Sequence, residues 1–308
     1  MKDAVLSAYD RIKPYVRETP VEQSPSLGGP YLKLEHLQHT GSFKFRGASN
    51  KIAMLTPEQA AAGVIAASNG NHGLGVAAAA RTRGIAAEVF VSAQVSRAKA
   101  RRIEAMGARI RVAGDDPLTA ELAARRAAEA SGQVFISPYN DLDVVAGQGT
   151  IAVELYQQLS SIDAVYIAVG GGGLIAGIGA YLKAVSPHTE IVGCWPQNSP
   201  VMHACMQAGA VVDVPESPTL SESTAGGLEP GAVTLNICRR VIDRGIFVTE
   251  EEILQAMQRV LHDEHWLIEG AAAVAVAAYL KEPRENAVVL LCGRNLSPEV
   301  LGRVCGPR

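Results

Sequence analysis

Cysteine is scarce and unpatterned in this chain. Five occur in 308 residues (Cys194, Cys205, Cys238, Cys292 and Cys305), an odd number, scattered and without CxxC spacing. That argues against a disulfide framework or a cysteine zinc site and for reduced thiols, hence a cytoplasmic protein. Long apolar runs are also missing. The most apolar stretch, Gly270 to Leu280, is mainly alanine and too short to cross a bilayer, so no membrane partner is expected. Met1-Lys2-Asp3-Ala4-Val5 lacks the apolar core of a secretory signal. Neither sign of charge dominates. The 28 Lys and Arg against 31 Asp and Glu give a net charge of -3, with no basic stripe, so nucleic-acid binding gains no support. No fixed-period repeat or low-complexity tail is visible. Apolar residues are plentiful at 48%, with 19% charged, which is a globular composition with a sizeable core in one large domain or two ordinary ones.

The apolar residues are grouped. Gly63 to Ala67 runs into Ser68-Asn69-Gly70-Asn71-His72 and an alanine-rich helical stretch from Val76 to Arg83. Ala87 to Val91 precedes Ser96 to Met106, and Arg109 to Val112 precedes Pro117 to Ala130. Ala164 to Val169 meets Gly170 to Gly173 and then Leu174 to Val185. Ile191 to Cys194 precedes a helical stretch near Val201, and Ala287 to Leu291 runs into Cys292-Gly293-Arg294-Asn295. Short apolar strands alternating with helices predict an α/β fold of open, mostly parallel sheets flanked by helices. Ligands in such folds gather at the carboxyl ends of strands, where these glycine and polar clusters fall. Ser217 to Gly231 is the longest irregular segment, a candidate functional loop.

Four of these places carry candidate chemistry. In His39-Thr40-Gly41-Ser42-Phe43-Lys44-Phe45-Arg46-Gly47, a lysine sits between phenylalanines at the start of a helical pattern. Apolar surroundings and the positive helix end both disfavour the ammonium, and a free amine forms Schiff bases with carbonyls. The plain alternative is a surface lysine whose stem packs on Phe43. Gly170-Gly171-Gly172-Gly173 opens a helix with bare amides suited to a phosphate. It also fits a dinucleotide pattern, Gly171-x-Gly173-x-x-Ala176, but the next strand ends Cys194-Trp195-Pro196 without the acid that pattern needs; a turn serving only tight packing is the third reading. Ser68-Asn69-Gly70-Asn71-His72-Gly73 can hold a carboxylate on its N–H groups, with Asn71 able to fix a phenolic oxygen, or can simply be a turn. His72 reads equally as a general base or as a residue orienting the loop. Cys292 reads as a weak polar contact or a small buried hydrophobe, and Glu269 as a helix cap or a pocket wall.

A lysine for an imine, a glycine cup for a phosphate and an amide turn for a carboxylate suit one cofactor, pyridoxal 5'-phosphate. The chain resembles the fold-type II pyridoxal-phosphate enzymes of the serine/threonine dehydratase group, which includes serine racemase. The resemblance rests on Gly41-Ser-Phe-Lys44-x-Arg-Gly47, the Gly-Asn-His turn, Gly147-Gln-Gly-Thr150 and the tetraglycine loop, and runs from Thr19-Pro20 to about Asn295. It implies a large domain of residues 1–34 and 138–308, a small domain of residues 35–137, a cofactor between them and a homodimer. It implies that Lys44 binds the cofactor and moves the Cα proton, and that Phe43 packs beside the ring. Asn71 bonds the ring hydroxyl, Gly170, Gly171, Gly172, Gly173 and Leu174 take the phosphate, Asn140 lies near the cofactor and Cys292 meets the pyridine nitrogen. Ser68, Asn69, Gly70 and His72 receive the substrate carboxylate.

The implied reaction is loss of water and then ammonia from a β-hydroxy amino acid such as L-threonine or L-serine. A thiol cannot keep the ring nitrogen protonated as a carboxylate would, which favours elimination over transamination. Asn69 stands where the racemase pattern has a serine, which disfavours racemisation. Other readings are a hydroxyaspartate or phenylserine dehydratase, a serine racemase, and a β-replacement enzyme of the cysteine synthase kind. A dinucleotide-dependent oxidoreductase and a non-catalytic phosphate-metabolite binder are the rivals from other classes. Some relatives bind a divalent cation near the segment that here reads Ser221-Glu222-Ser223, with Glu216 and Glu222 as the available ligands. Arg294, where a glycine is common, is placed to meet an extra acid group of the substrate or to form a salt bridge. The sequence ends soon after the last strand, so the added regulatory domain of biosynthetic threonine dehydratases, and feedback control by isoleucine with it, is not expected.

Overall fold

The computed structural model describes residues 1–306. Ten strands are present among them: β1 (Val21–Gln23), β2 (Tyr31–Lys33), β3 (Val64–Ala67), β4 (Ala87–Val91), β5 (Arg109–Val112), β6 (Val134–Phe135), β7 (Ala164–Ala168), β8 (Glu190–Pro196), β9 (Arg244–Val248) and β10 (Ala287–Leu290). They form two sheets, ordered β1-β2-β10-β7-β8-β9 and β5-β4-β3-β6. Every pairing is parallel except β1 with β2.

The sequence explains the layering. β7 and β10 are continuous apolar runs, buried at every position, as strands covered by helices on both faces must be. The helices that cover them, Leu142–Gln158, Gly173–Val185 and Gly270–Lys281, are buried along most of their length and rich in alanine and glycine. Small side chains let backbones approach closely: a Cβ on Gly147 would lie 2.7 Å from Gly47 Cα, where the helix Leu142–Gln158 crosses the helix Lys44–Ala53.

The topology leaves a crevice. From β7 the chain steps outward to β8 and β9, then returns to β10 on the other side of β7. Such a reversal of strand order opens a gap at the carboxyl ends of the two central strands. The tetraglycine loop follows β7 and Cys292 follows β10, so both border it. No helix among the described residues is long and apolar enough to cross a membrane.

Candidate active site

Lys44 is the first residue of the helix Lys44–Ala53. The turn before it is stitched to the loop after β10. Phe43 N–H donates to Cys292 O at 3.1 Å, Arg294 N–H donates to Gly41 O at 2.9 Å, and Ser42 pairs with Gly293. Gly41 permits the stitch. Its φ is +77°, and a Cβ there would lie 2.9 Å from Asn295 Oδ1. Elements some 250 positions apart are thus held together by backbone bonds. Lys44 Nζ donates to Pro138 O at 2.9 Å and lies 5.3 Å from the centre of the Phe43 ring. Burial pulls the amine down to about 8, against weaker upward pulls from Cys292 and Glu269. Such an amine is a competent nucleophile near neutral pH.

A buried ion network holds the next turn of this helix. Arg46 grips Glu35 through Nε (2.9 Å) and Nη2 (2.7 Å), and Glu154 through Nη1 (2.6 Å). Lys33 adds a bond to Glu154 at 2.6 Å. All four side chains are at most 1% exposed. Two cations meet two anions, so the cluster is neutral and every charge has a partner. Glu35 is held below the usual carboxylate range: Arg46 and Lys33 outweigh its desolvation.

Facing Lys44 is a cleft of about 480 Å³, lined by Phe43, Asn71, Gly170 to Ile175, Glu269 and Cys292 among others. The N–H groups of Gly170 to Leu174 make no hydrogen bond to a described residue, and the helix Gly173–Val185 points its positive end at the same spot. Glycine is required along this loop. A Cβ at Gly170 would sit 2.8 Å from Thr224 Cα, and one at Gly171 would enter the Tyr139 ring. Gly172 has φ +80°.

Burial and the nearby Glu269 push the Cys292 thiol well above its usual range, so it stays protonated. His72 is buried, and its pKa is pulled to about 3 by desolvation and by Lys44. A neutral imidazole remains, with Nε2 2.7 Å from Ile136 O. That bond ties the start of the helix Asn71–Thr82 to the end of β6 and suits a loop-orienting residue better than a base.

The structure gathers Phe43, Lys44, Asn71, Gly170 to Leu174 and Cys292 around one cleft. Asn140 is not itself among the lining residues. Its Nδ2 donates to Glu229 and its Oδ1 accepts from Val233 N–H, while its neighbour Tyr139 lines the cleft. Ser68, Asn69, Gly70 and His72 form the turn beside Asn71 but are not among the lining residues. Asn69 spends both amide atoms on Ser92. Arg294 is exposed and outside the cleft wall. Glu216 accepts from Ser199 and Gly226, and Glu222 pairs with Lys99 at 3.0 Å; among the described residues no group of three or more His, Cys, Asp or Glu is arranged to hold a metal. Ser223 and Thr224 also line the cleft. They belong to the irregular Ser217 to Gly231 segment, whose length is its signal in the sequence; Ser223 enters there only beside a candidate cation site.

This cleft defines the class. Residues 12–293 match the model of the family described as pyridoxal-phosphate dependent enzyme. The chain is 36% identical to an L-threonine ammonia-lyase of Thermotoga maritima over 308 residues, 97% of this chain and 77% of that protein. It is 37% identical to a catabolic L-threonine dehydratase of Staphylococcus aureus, over 96% of this chain and 88% of that one. The solved structure of maize serine racemase superposes with a TM-score of 0.92 at 30% identity, covering 97% of this chain and 95% of that one. The chain belongs to the pyridoxal-phosphate dependent enzyme family and has the two-sheet fold of its type II members.

The residues present fit the family's cofactor. A Schiff-base-forming amine of lowered pKa, a row of uncommitted N–H groups at a helix start, and a half-exposed aromatic ring line one cleft. They match an aldehyde, a phosphate and a flat ring.

Proposed function

We propose that the cleft holds pyridoxal 5'-phosphate between a small domain of residues 35–137 and a large domain of residues 1–34 and 138–308. There the enzyme converts a β-hydroxy amino acid such as L-threonine or L-serine to a 2-keto acid and ammonia. The observation that carries this reading is the meeting of Lys44 Nζ, with its pKa near 8, and the free N–H groups of Gly170 to Leu174 in one cleft. The threonine ammonia-lyase and dehydratase relatives supply the reaction class.

Each residue contributes a defined action. The N–H groups of Gly170 to Leu174 bind the phosphate, reinforced by the helix dipole. Asn71 donates to the ring hydroxyl, Phe43 offers its face to the ring, and Cys292 is the contact of the ring nitrogen. The Ser68 to His72 turn, at the positive end of the helix Asn71–Thr82, receives the substrate carboxylate. When bound, pyridoxal phosphate supplies an electron sink for the electrons left at Cα. Lys44 Nζ, freed by the substrate amine, takes the Cα proton. The substrate loses that proton and its β-hydroxyl; the enamine released takes up water and gives up ammonia, so water is balanced overall.

Two observations support elimination over the alternatives. Burial keeps Cys292 a neutral thiol, which cannot stabilise a protonated ring nitrogen as a carboxylate would. Asn69 is bonded to Ser92 through both amide atoms, leaving the face opposite Lys44 without an evident proton carrier. The homodimer is also part of the proposal, readable as twice the chain mass by light scattering.

The test is turnover. The reconstituted enzyme is expected to release keto acid from threonine or serine without any added nucleophile, and Lys44→Ala to release none. Product formed only when sulfide is supplied would reverse the assignment in favour of β-replacement. 3-Hydroxyaspartate and phenylserine in the same panel decide the preferred side chain.

A further inference from the structure

Glu269 is 4% exposed and lines the cleft. It stands at the cap position of the helix Gly270–Lys281 yet makes no side-chain cap bond. Its oxygens turn instead to three donors: Asn71 Nδ2 at 2.8 and 3.0 Å, Ser223 Oγ at 2.8 Å and Asn295 N–H at 2.9 Å. Gly293 makes room, since a Cβ there would lie 2.7 Å from the carboxylate. No Lys or Arg forms a salt bridge with it among the described residues.

A carboxylate only accepts hydrogen bonds. The Asn71 amide must therefore turn Nδ2 toward Glu269 and Oδ1 away from it. Oδ1 then accepts from Asn295 Nδ2 at 2.6 Å. The Asn295 amide is itself fixed, donating to Thr40 O at 2.9 Å and accepting from Arg102 Nη2 at 2.7 Å. A flipped Asn71 would set oxygen against carboxylate and N–H against N–H. Its Nδ2 carries two protons, one sufficing for Glu269, and the other contact is a long one to Ser223 at 3.4 Å.

We propose that Glu269 is a positioning residue. It locks the Asn71 amide so that a donor, never an acceptor, is presented to the ring hydroxyl of the cofactor, and it is the carboxylate that shares the cleft wall with Lys44. The first half rests on the reading of the cleft as a pyridoxal-phosphate site; the second does not. The groups facing Lys44 are Cys292, Glu269 and His72. Cys292 and Glu269 both pull the Lys44 amine upward; with Cys292 held protonated near neutral pH and His72 neutral, the carboxylate that lines the cleft with Lys44 is Glu269.

The experiment compares wild type, Glu269→Gln and Glu269→Asp. In the cofactor-free chain, acylation of Lys44 is followed against pH by peptide mass spectrometry. The wild-type midpoint is expected near pH 8. Removing an anion disfavours the ammonium, so Glu269→Gln is expected to lower the midpoint by about half a pH unit or more, while Glu269→Asp keeps it. In the second measurement, pyridoxal-phosphate affinity is expected to fall about tenfold or more in Glu269→Gln, where the Asn71 amide is free to flip. Glu269→Asp falls less. Glu269→Gln matching wild type in both readouts overturns the proposal. Should Glu269→Gln not fold, Glu269→Asp decides: an unchanged midpoint with weakened affinity supports the proposal, and a shifted midpoint or unweakened affinity overturns it. A wild-type chain that takes up no pyridoxal phosphate sinks the cofactor reading and the Asn71 half with it. The midpoint then still judges the charge.

Discussion

Arg46→Met tests whether the buried ion network holds the helix that carries Lys44. Arg46 is two residues beyond Lys44 and 0% exposed, with six hydrogen bonds to Glu35, Glu154, Thr150 and the Arg17 carbonyl. Methionine fills much of the stem volume but removes the guanidinium. Glu35 and Glu154 then face Lys33 alone, a net buried charge of minus one. Breaking one partner of a buried ion cluster costs about 3–5 kcal/mol, because the charge left behind is neither solvated nor paired. Against a total stability of about 5–15 kcal/mol, that is a large fraction. The double variant Arg46→Met, Glu154→Gln restores neutrality, leaving Lys33 with Glu35, and should recover part of the loss. Urea unfolding followed by fluorescence of Trp195 and Trp266 measures both. A loss under about 1 kcal/mol in the single variant, or strictly additive losses in the double, would refute the claim that charge balance holds this helix.

Further predictions follow from the same geometry. Gly171→Ala places a methyl in the Tyr139 ring and should weaken cofactor uptake severely, read by equilibrium dialysis, with the fold retained by circular dichroism. His36 and His72 are pulled down to about 4 and about 3 by burial. Between those values and the ordinary 6.5, the unfolded chain binds protons the folded chain does not. Stability should therefore fall as pH drops from about 6.5, by up to about 1.4 kcal/mol per pH unit per histidine, and His36→Phe should flatten that slope in acid-titrated urea unfolding. Chelator treatment should leave keto-acid release unchanged, because Glu216 and Glu222 are committed to protein donors.

The parts of the fold legible in the sequence were those written in short-range pattern. The strand at Ala164 to Val169 and the helices near Pro117 to Ala130 and Leu174 to Val185 are continuous apolar or alanine-rich runs, and the structure places them within a residue or two. β9, Arg244–Val248, carries a charge and a glycine in five residues and shows no such run. Its strand character comes from pairing with β8. The site divides the same way. Lys44, the tetraglycine loop and Asn71 sit in turns with local signatures. Tyr139 lines the cleft while the Asn140 amide is bonded to Glu229 and the Val233 N–H, contacts some 90 positions away that no local pattern shows. The network of Lys33, Glu35, Arg46 and Glu154 was invisible for a similar reason: charges inside apolar stretches mark burial only once their partners are known. Glu269 read equally as cap or wall until its bonds to Asn71 and Ser223 settled the matter.

The central claim is that Lys44 carries the cofactor. Reconstituting the purified chain with pyridoxal phosphate, reducing it with borohydride and mapping the labelled peptide tests this directly. The account predicts a visible absorption band before reduction and a pyridoxyl group on Lys44 alone after it. A colourless protein that takes up no cofactor, or a label on another lysine with Lys44 untouched, would contradict it.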